Sequence, residues 1–274
     1  MVLTDAQWAV LEPLVEACRP HAKVPPSNLR RTISAILWRH ANGATWRAIP
    51  TDLGPWWMAA QTFIRWSRLG VWERLLGLAQ ESGVQLGMTF LDGTSVRAHQ
   101  KAAGAAAKGA TRRDAARVRR LAPSRGGYGT KACVIADGAG RAIAFRLAPG
   151  QAHELPQAVP LLDALPGVPA LGCPWQPPLQ GRIGQGRWVV ADRGYTSHAF
   201  REHIWDLGAR PAIPPQRREA QVACPGWIYH NRHRVENLWA RLKEWRAVAT
   251  RYEKTACSFL GVLCLAAAID WIRR

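Results

Sequence analysis

The stretch Gly87-Met88-Thr89-Phe90-Leu91-Asp92-Gly93 is a short apolar run that ends in an acidic residue. Runs of this length, bounded by a turn signal, are typical of buried β-strands. The stretch Arg187-Trp188-Val189-Val190-Ala191-Asp192 has the same form. If the two strands are parallel neighbours, both aspartates lie at one edge of a sheet, where functional sites collect.

The segments around these two strands alternate between strand and helix signals. A hairpin is predicted over residues 131–147, and we interpret Asp137 in its Gly-rich turn as a turn residue. Helices over 155–165 and 198–207, a strand over 210–213 and two C-terminal helices follow. The predicted fold class is α/β: an RNase H-like mixed five-stranded sheet with flanking helices, whose first three strands are antiparallel.

The charge balance predicts a polyanionic partner. The 274-residue chain has 37 Lys and Arg against 19 Asp and Glu, a formal net charge of +18. Nucleic acid is the usual partner of such a basic protein, although an anionic membrane surface or simple solubility are alternatives. Residues 99–125 form a basic insertion, with eight Lys and Arg against the single acid Asp114. This insertion is either a mobile loop or a helix ordered by a polyanion.

Residues 1–84 predict a small all-helical domain ahead of the α/β domain, which would cover residues 85–274. Apolar residues at helical spacing indicate four helices, over residues 4–18, 29–41, 56–68 and 71–79. Four short helices in this order are compatible with a helix-turn-helix-like DNA-binding domain. Arg65, Arg68 and Arg74 are candidate DNA contacts, and ordinary surface charge is an equally good interpretation of each.

Cysteine spacing and hydropathy predict a reducing compartment. The six cysteines show no CxxC or CxxH spacing, so neither a zinc site nor a disulfide framework is predicted. The first residues lack a signal sequence, and the apolar run 259–269 is too short for a membrane span. We therefore expect a cytoplasmic location.

A third acidic residue lies in the segment from Tyr229 to Lys243. On a helix, Tyr229, Arg232, Glu236 and Lys243 fall within about 60° of one another. The opposite side carries the apolar residues Val235, Leu238, Leu242 and Trp245. One side of this helix would therefore pack into a core, and the other would present an acid among cations.

Asp92, Asp192 and Glu236 could meet at one sheet edge. Three carboxylates so close would repel one another unless a cation lay among them, and Mg²⁺ prefers such hard oxygen ligands. Each residue also has a simpler interpretation: Asp92 a turn, Asp192 a cap, and Glu236 an exposed acid paired with Arg232. Taken together, the three favour a metal site beside a phosphate backbone.

At this point the residues resemble a known family. The spacing Tyr229-x2-Arg232-x3-Glu236-x6-Lys243 matches the motif of IS4/IS5-type bacterial DDE transposases. Asp92 and Asp192 resemble the first and second catalytic aspartates of that family. Further stretches that resemble its IS5 branch are Arg125 to Lys131, Pro149 to Glu154, Trp46 to Pro50, and Phe63-x2-Trp66.

The resemblance implies an enzyme that cuts the terminal inverted repeats of an insertion sequence. It would then transfer the freed 3′-hydroxyl into target DNA. The implied catalytic triad is Asp92, Asp192 and Glu236, which would bind Mg²⁺ or Mn²⁺ in a two-metal mechanism. The expected partners are double-stranded DNA, at the transposon ends and at the target, and a second copy in a homodimer on DNA. The implied location is the bacterial cytoplasm, at the nucleoid.

The same resemblance suggests which side chains contact DNA. Tyr229, Arg232 and Lys243 would contact phosphate near the scissile bond, through a hydroxyl, a bidentate guanidinium and a point charge. Arg193 and Lys131 are further DNA-binding candidates.

Alternatives remain open for the function and for some residues. The chain could be an inactive or domesticated DNA-binding derivative, or a related RNase H-like nuclease such as a junction resolvase. Glu154, next to His153, could support the site indirectly or cap a helix. Trp205 and Trp227 could stack on a flipped base, but core packing is the favoured interpretation.

Overall fold

The computed structural model describes residues 3–21, 28–81, 83–103, 122–124, 127–163, 165, 187–217 and 219–273. A loop predicted over residues 166–186 lies outside these ranges, as do residues 104–121 and 125 of the basic insertion.

Four helices open the chain and confirm the helices predicted there. They are α1 (Asp5–Cys18), α2 (Leu29–Asn42), α3 (Trp56–Arg68) and α4 (Val71–Gln80). Thr4 and Gln7 form a capping box at the start of α1, and the Asn28 side chain caps α2. α2 ends at Gly43, whose φ of 60° favours a residue without a Cβ.

The other described elements build one sheet and the helices around it. In chain order they are β1 (Met88–Ala98), α5 (Gln100–Ala103), β2 (Ala122–Ser124), β3 (Gly127–Ala136), β4 (Ala142–Pro149), α6 (Leu155–Leu162), β5 (Arg187–Val190), α7 (His198–Asp206), β6 (Ala209–Ala212), α8 (Gly226–Tyr229), α9 (His233–Lys243), α10 (Arg246–Ala249), β7 (Thr250–Arg251) and α11 (Ala256–Ile272). Short 3₁₀ turns cover Trp46–Ala48, Thr51–Leu53, Arg193–Tyr195 and His230–Arg232.

The strand order confirms the RNase H-like prediction. The five main strands run β4-β3-β1-β5-β6 across the sheet. β1, β3 and β4 are antiparallel neighbours, whereas β5 is parallel to β1 and β6 is parallel to β5. Two short strands extend this sheet, with β2 paired to β3 and β7 paired to β1.

β1 is longer than predicted, which changes the surroundings of Asp92. We predicted a strand that ends at Asp92, but β1 continues to Ala98. Beyond Asp92 it stays paired with β3, and it gains β7 as a neighbour at Arg97. Both Asp92 and Gly93 therefore lie inside a paired strand, which excludes the turn interpretation of this dipeptide.

Asp137 has the turn role predicted for it. Its carboxylate accepts hydrogen bonds from the backbone N–H groups of Ala139 and Arg141, at 3.0 and 2.9 Å. It also forms an ion pair with the Arg141 guanidinium at 2.7 Å. These contacts close the hairpin between β3 and β4, so the Asp137 carboxylate is used within its own turn.

The sheet separates two hydrophobic cores. Side chains alternate between the faces of a strand, so Phe90 and Val134 face one core, which α9 and α11 cover. Leu91 and Ile135 face the other core, which α6 and α7 cover. Asp92 follows the alternation onto the face of Phe90, and Gly93 onto the face of Leu91.

Helices α1–α4 share the first core with the sheet and α11. Phe63 and Trp72 pack in the same cluster as the buried residues of α11, a helix that is apolar nearly all round. At Gly261 of α11, a Cβ would lie 2.7 Å from Trp72 Cδ1. The predicted boundary near residue 85 falls between α4 and β1, but one core spans it. No helix in the described ranges is long and apolar enough to cross a membrane.

A buried ion pair connects α2 to the segment before α11. Arg39 pairs with Glu253, and the two side chains are 7% and 5% exposed. His40 lies beside them: its Nδ1 is 2.9 Å from the Ile36 carbonyl oxygen, and its Nε2 is 3.3 Å from Arg39 Nη1. Burial, with a smaller effect of Arg39, holds the pKa of His40 well below its ordinary value.

Candidate active site

Asp92 and Asp192 reach the same edge of the sheet through the parallel pairing of β1 and β5. The last paired position is Phe90 with Val190, so each aspartate follows it by two residues. Asp92 is almost fully buried, at 9% exposure. Asp192 is half-buried and caps the turn Arg193–Tyr195, where its Oδ1 accepts from the Gly194 N–H at 2.8 Å. The capping interpretation of Asp192 is therefore correct, and it leaves the other carboxylate oxygen free to face the site.

Glu236 arrives from the other side of the site, on α9. The predicted helix around it is divided in three: α8 ends at Tyr229, a 3₁₀ turn covers His230–Arg232, and α9 begins at His233. The backbone stays in the helical region throughout, which preserves the predicted side-chain directions. The apolar residues assigned to the inner side are buried, as predicted: Val235, Leu238, Leu242 and Trp245.

The Arg232 guanidinium is the point where the three carboxylates meet. Its Nη2 lies 3.3 Å from Asp92 Oδ1 and 3.9 Å from Asp192 Oδ2. Its Nη1 donates to Glu236 Oε1, one helical turn away in sequence. The predicted pairing of Glu236 with Arg232 therefore exists, together with contacts to both aspartates. Residues far apart in sequence are thus assembled around one cation.

The electrostatics of the group reflect this crowding. Burial raises the pKa of Asp92 to about 6; Arg232 lowers it, whereas Glu154 and Asp192 raise it further. Burial alone would lower the pKa of Arg232, but the nearby acids outweigh burial and raise it. The guanidinium therefore serves as the counter-charge of the acidic group.

Tyr229, Arg193 and Lys243 are the other predicted DNA contacts near these acids. Lys243 Nζ donates to Thr94 Oγ1 at 2.7 Å, and Thr94 lies on the same face of β1 as Asp92. Arg193 follows Asp192 directly and is exposed. Burial raises the pKa of Tyr229, and the charges of Arg232, Asp192 and Arg193 act on it as well. Arg232 therefore contacts the carboxylates directly, while Lys243 contacts a neighbour of Asp92 on the same strand face.

Lys131 does not join this group. It is opposite Ser95 in the register of β1 and β3, so strand alternation puts it on the face of Gly93, away from Asp92. There its Nζ pairs with Glu154 Oε1 at 2.8 Å. The structure therefore separates Lys131 from Arg232 and Lys243, a placement that spacing along the sequence does not reveal.

Trp205 and Trp227 do not lie in the core, contrary to the prediction. They are 57% and 68% exposed, so the core-packing interpretation is wrong for both. Trp205 follows the buried Ile204 on the outer side of α7. Trp227 contacts Trp188 edge-on, with ring centroids 6.2 Å apart.

Thr94 is a residue that the sequence analysis does not single out, and Glu154 is one whose role it leaves open. Thr94 stands two positions after Asp92, a spacing that puts it on the same strand face once β1 is known to continue. Glu154 precedes α6, and its side chain makes no cap hydrogen bond there. Glu154 therefore occupies the N-cap position of α6, but its carboxylate does not cap the helix.

The donor set suits a hard divalent cation. Asp92, Asp192 and Glu236 offer only carboxylate oxygens, the ligands that Mg²⁺ and Mn²⁺ accept. Within the described residues, however, no three His, Cys, Asp or Glu side chains are arranged so that they could hold a metal ion as they stand. The carboxylates surround Arg232 instead.

Two family models match the chain. One, described as "Transposase DDE domain", matches residues 189–273, which include Asp192 and Glu236. The other, described as "Putative transposase of IS4/5 family", matches residues 3–76, which cover the four N-terminal helices.

Curated relatives agree with these models. A "Putative transposase for insertion sequence element IS6501" from Brucella ovis is 30% identical over 53% of this chain and 98% of its own length. A "Putative transposase for insertion sequence element IS402" from Burkholderia cepacia is 30% identical over 53% of this chain and 65% of its own length. An "Uncharacterized protein y4sN" from Sinorhizobium fredii is 37% identical over 38% of this chain and 82% of its own length.

Solved structures show only distant similarity. A piggyBac transposase synaptic complex with hairpin DNA gives a TM-score of 0.40 at 10% identity, over 78% of this chain and 48% of that one. A pre-cleavage Mos1 transpososome gives a TM-score of 0.28 at 12% identity, over 93% of this chain and 80% of that one. Such TM-scores support no assignment, and the fold follows from the strand order alone.

Proposed function

Since the chain belongs to the IS4/IS5-type family of insertion-sequence transposases, we propose that it cuts DNA at the ends of an insertion sequence and joins the freed 3′-hydroxyl to target DNA. The observation that carries this proposal is the meeting of Asp92, Asp192 and Glu236 around the Arg232 guanidinium. A strand, a turn and a helix each supply one acid, which is the arrangement expected of a phosphoryl-transfer site.

In this proposal the three carboxylates would hold Mg²⁺ or Mn²⁺, as two ions in the expected mechanism. Bound there, the ions would supply positive charge at the scissile phosphate and activate water for in-line attack. Asp92 is fixed by its strand and by burial, and Asp192 by its hydrogen bond to Gly194, so both acids are preorganised. Glu236, more exposed on α9, can adjust to the ions that the aspartates hold.

The cations have a separate role in substrate binding. Once other positive charge neutralises the carboxylates, Arg232 can turn to a phosphate oxygen and grip it in a bidentate manner. Lys243 would add a point-charge contact to the phosphate backbone, and Arg193 a forked contact. Tyr229 can donate its hydroxyl proton to a phosphate, since its raised pKa keeps it protonated at neutral pH. Together these side chains would orient the scissile bond.

Double-stranded DNA is the proposed substrate, and a homodimer on DNA the proposed assembly. The net charge of +18 supports a polyanionic partner. The N-terminal helices, including Arg65 and Arg68, are proposed to contact the transposon end. Arg74 is not, because its guanidinium donates to the backbone carbonyls of Leu69 and Cys18.

The test is cleavage of a duplex that carries the terminal inverted repeat, with Mg²⁺ or Mn²⁺ present. We expect Asp92→Asn, Asp192→Asn and Glu236→Gln each to abolish cleavage and to leave DNA binding within a few-fold of wild type. Glu244→Gln, an exposed acid just beyond α9, is the matched control and should cleave normally. Cleavage by any triad variant would overturn the triad. A wild-type preference for branched DNA or RNA–DNA hybrid would indicate a related nuclease instead.

A further inference from the structure

We infer that Glu154 is a positioning residue for Asp92, pressed against Gly93 on the back of the catalytic strand and held there by Lys131. The role presumes the proposed DNA-cleaving function, since positioning matters only if Asp92 takes part in a reaction. This positioning role would explain the stretches around Lys131 and Glu154, which take no direct part in the proposed reaction.

Glu154 occupies the space that a side chain at residue 93 would need. A Cβ built on Gly93 would lie 2.4 Å from Glu154 Cδ, and 2.6 and 2.7 Å from its two carboxylate oxygens. Distances under 3.0 Å are not sustained by real Cβ atoms. The backbone beside Asp92 is therefore packed against the Glu154 carboxylate, and a side chain at residue 93 would displace that carboxylate from its place.

Lys131 fixes the carboxylate in place. The ion pair of 2.8 Å joins side chains that are only 17% and 18% exposed, so solvent competes weakly for it. Lys131 comes from β3, the antiparallel neighbour of β1, and lies on the same face as Gly93. Glu154 is thereby held between β1, which carries Asp92, and the neighbouring strand β3.

A close backbone contact brings the Glu154 segment to the sheet. The Gly150 N–H donates to the Gly129 carbonyl at 3.1 Å. A Cβ at Gly150 would lie 2.9 Å from the Gly129 carbonyl carbon and oxygen, so this approach also requires glycine. Residues 127–131 of β3 and residues 149–154 therefore lie against each other beside β1.

Glu154 also lies next to the turn that carries Asp192. Tyr195 ends this turn and is fully buried. Burial raises its pKa, and the nearby Glu154 carboxylate is the next cause. Glu154 therefore lies close to both segments that carry the proposed catalytic aspartates. Because Asp92 projects from the opposite face of β1, Glu154 supports the site without contacting the substrate.

The cleavage rate and the Mn²⁺ affinity distinguish a positioning residue from one that only stabilises the fold. Glu154→Gln keeps the shape and removes the charge. We expect it to lower the single-turnover cleavage rate about tenfold or more, with half-saturating DNA concentration within about twofold. The affinity for Mn²⁺, measured by calorimetry without DNA, should fall by about tenfold. Glu244→Gln should change none of these quantities, and Glu154→Asp should give an intermediate rate.

A double-mutant cycle tests the contact itself. Gly93→Ala should lower both the melting temperature and the cleavage rate, because its methyl group displaces Glu154. Gly93→Ala with Glu154→Ala should be no worse than Glu154→Ala alone, since the clash is gone.

Two results would overturn the inference: wild-type rate and Mn²⁺ affinity in Glu154→Gln, or additive losses in the cycle. If the wild type itself cleaves no end DNA, the proposed function fails. The Mn²⁺ affinities and melting temperatures then still decide whether Glu154 positions Asp92.

Discussion

Asp92 and Asp192 stand two residues beyond the same pair in the sheet, Phe90 with Val190, and so share one register at its edge. β1 and β5 are paired in parallel up to this position. Beyond it β5 ends in the turn that Asp192 caps, while β1 continues along β3. Arg232 lies where β1 and β5 separate, and we propose that the metal ions bind there.

Arg232 should stabilise the free protein as well as bind phosphate. Arg232→Ala would leave the buried Asp92 beside two other acids without a counter-charge. We expect a loss of about 1–3 kcal/mol in the free energy of unfolding at neutral pH, measured with urea. Arg217→Ala, which removes an exposed arginine, is the control and should have almost no effect. Equal stability of the two variants would mean that Arg232 does not balance the carboxylates.

Lys243 and Lys131 should behave differently towards DNA, although the sequence makes both candidate DNA contacts. Lys243→Met should weaken binding of end DNA about three- to tenfold and reduce the salt slope by about one. Lys131→Met should leave both nearly unchanged, because its ammonium is paired with Glu154 on the other face. Fluorescence anisotropy over a range of salt concentrations measures both quantities. The reverse ranking would contradict the placement of the two lysines.

The N-terminal helices should unfold together with the α/β part, because one core spans both. Gly261→Ala would push a methyl group to within 2.7 Å of Trp72 Cδ1 and 2.8 Å of Ser67 Oγ. We expect it to destabilise the whole chain by about 1–3 kcal/mol. Gly77→Ala, in α4 with nothing within 4 Å of the added Cβ, should instead stabilise it by about 0.5–1 kcal/mol. Two separate thermal transitions, with only one shifted by Gly261→Ala, would show independent domains.

His40 should make stability depend on pH. The fold holds His40 neutral, with its pKa well below 6.5, whereas the unfolded chain takes up a proton near that pH. Its contribution is therefore complete above the unfolded pKa and is lost as the pH falls below it. Between about pH 6 and pH 5 the wild type should lose up to about 1.4 kcal/mol more per pH unit than His40→Gln. Urea unfolding measures the slopes. Parallel slopes for wild type and His40→Gln would contradict a neutral buried His40.

Local patterns in the sequence predicted the elements but not all of their surroundings. Helix spacing correctly placed Val235 inward and Glu236 outward, because these depend on neighbours one turn away. The length of β1 could not be predicted, since its second half is held by β3 and β7, which come from distant segments. The face of Lys131 and the contact of Glu154 with Gly93 also depend on register between distant strands. The exposure of Trp227 reflects the same limit, because burial is decided by which elements pack against a residue.

The central claim, that Asp92, Asp192 and Glu236 form one metal site, is tested most directly by Mn²⁺ binding. Electron paramagnetic resonance can measure the Mn²⁺ affinity of the protein bound to end DNA. Asp92→Asn, Asp192→Asn and Glu236→Gln should each weaken it by about tenfold or more, with Glu244→Gln unchanged. Unchanged Mn²⁺ affinity in any one of the three variants would contradict the account.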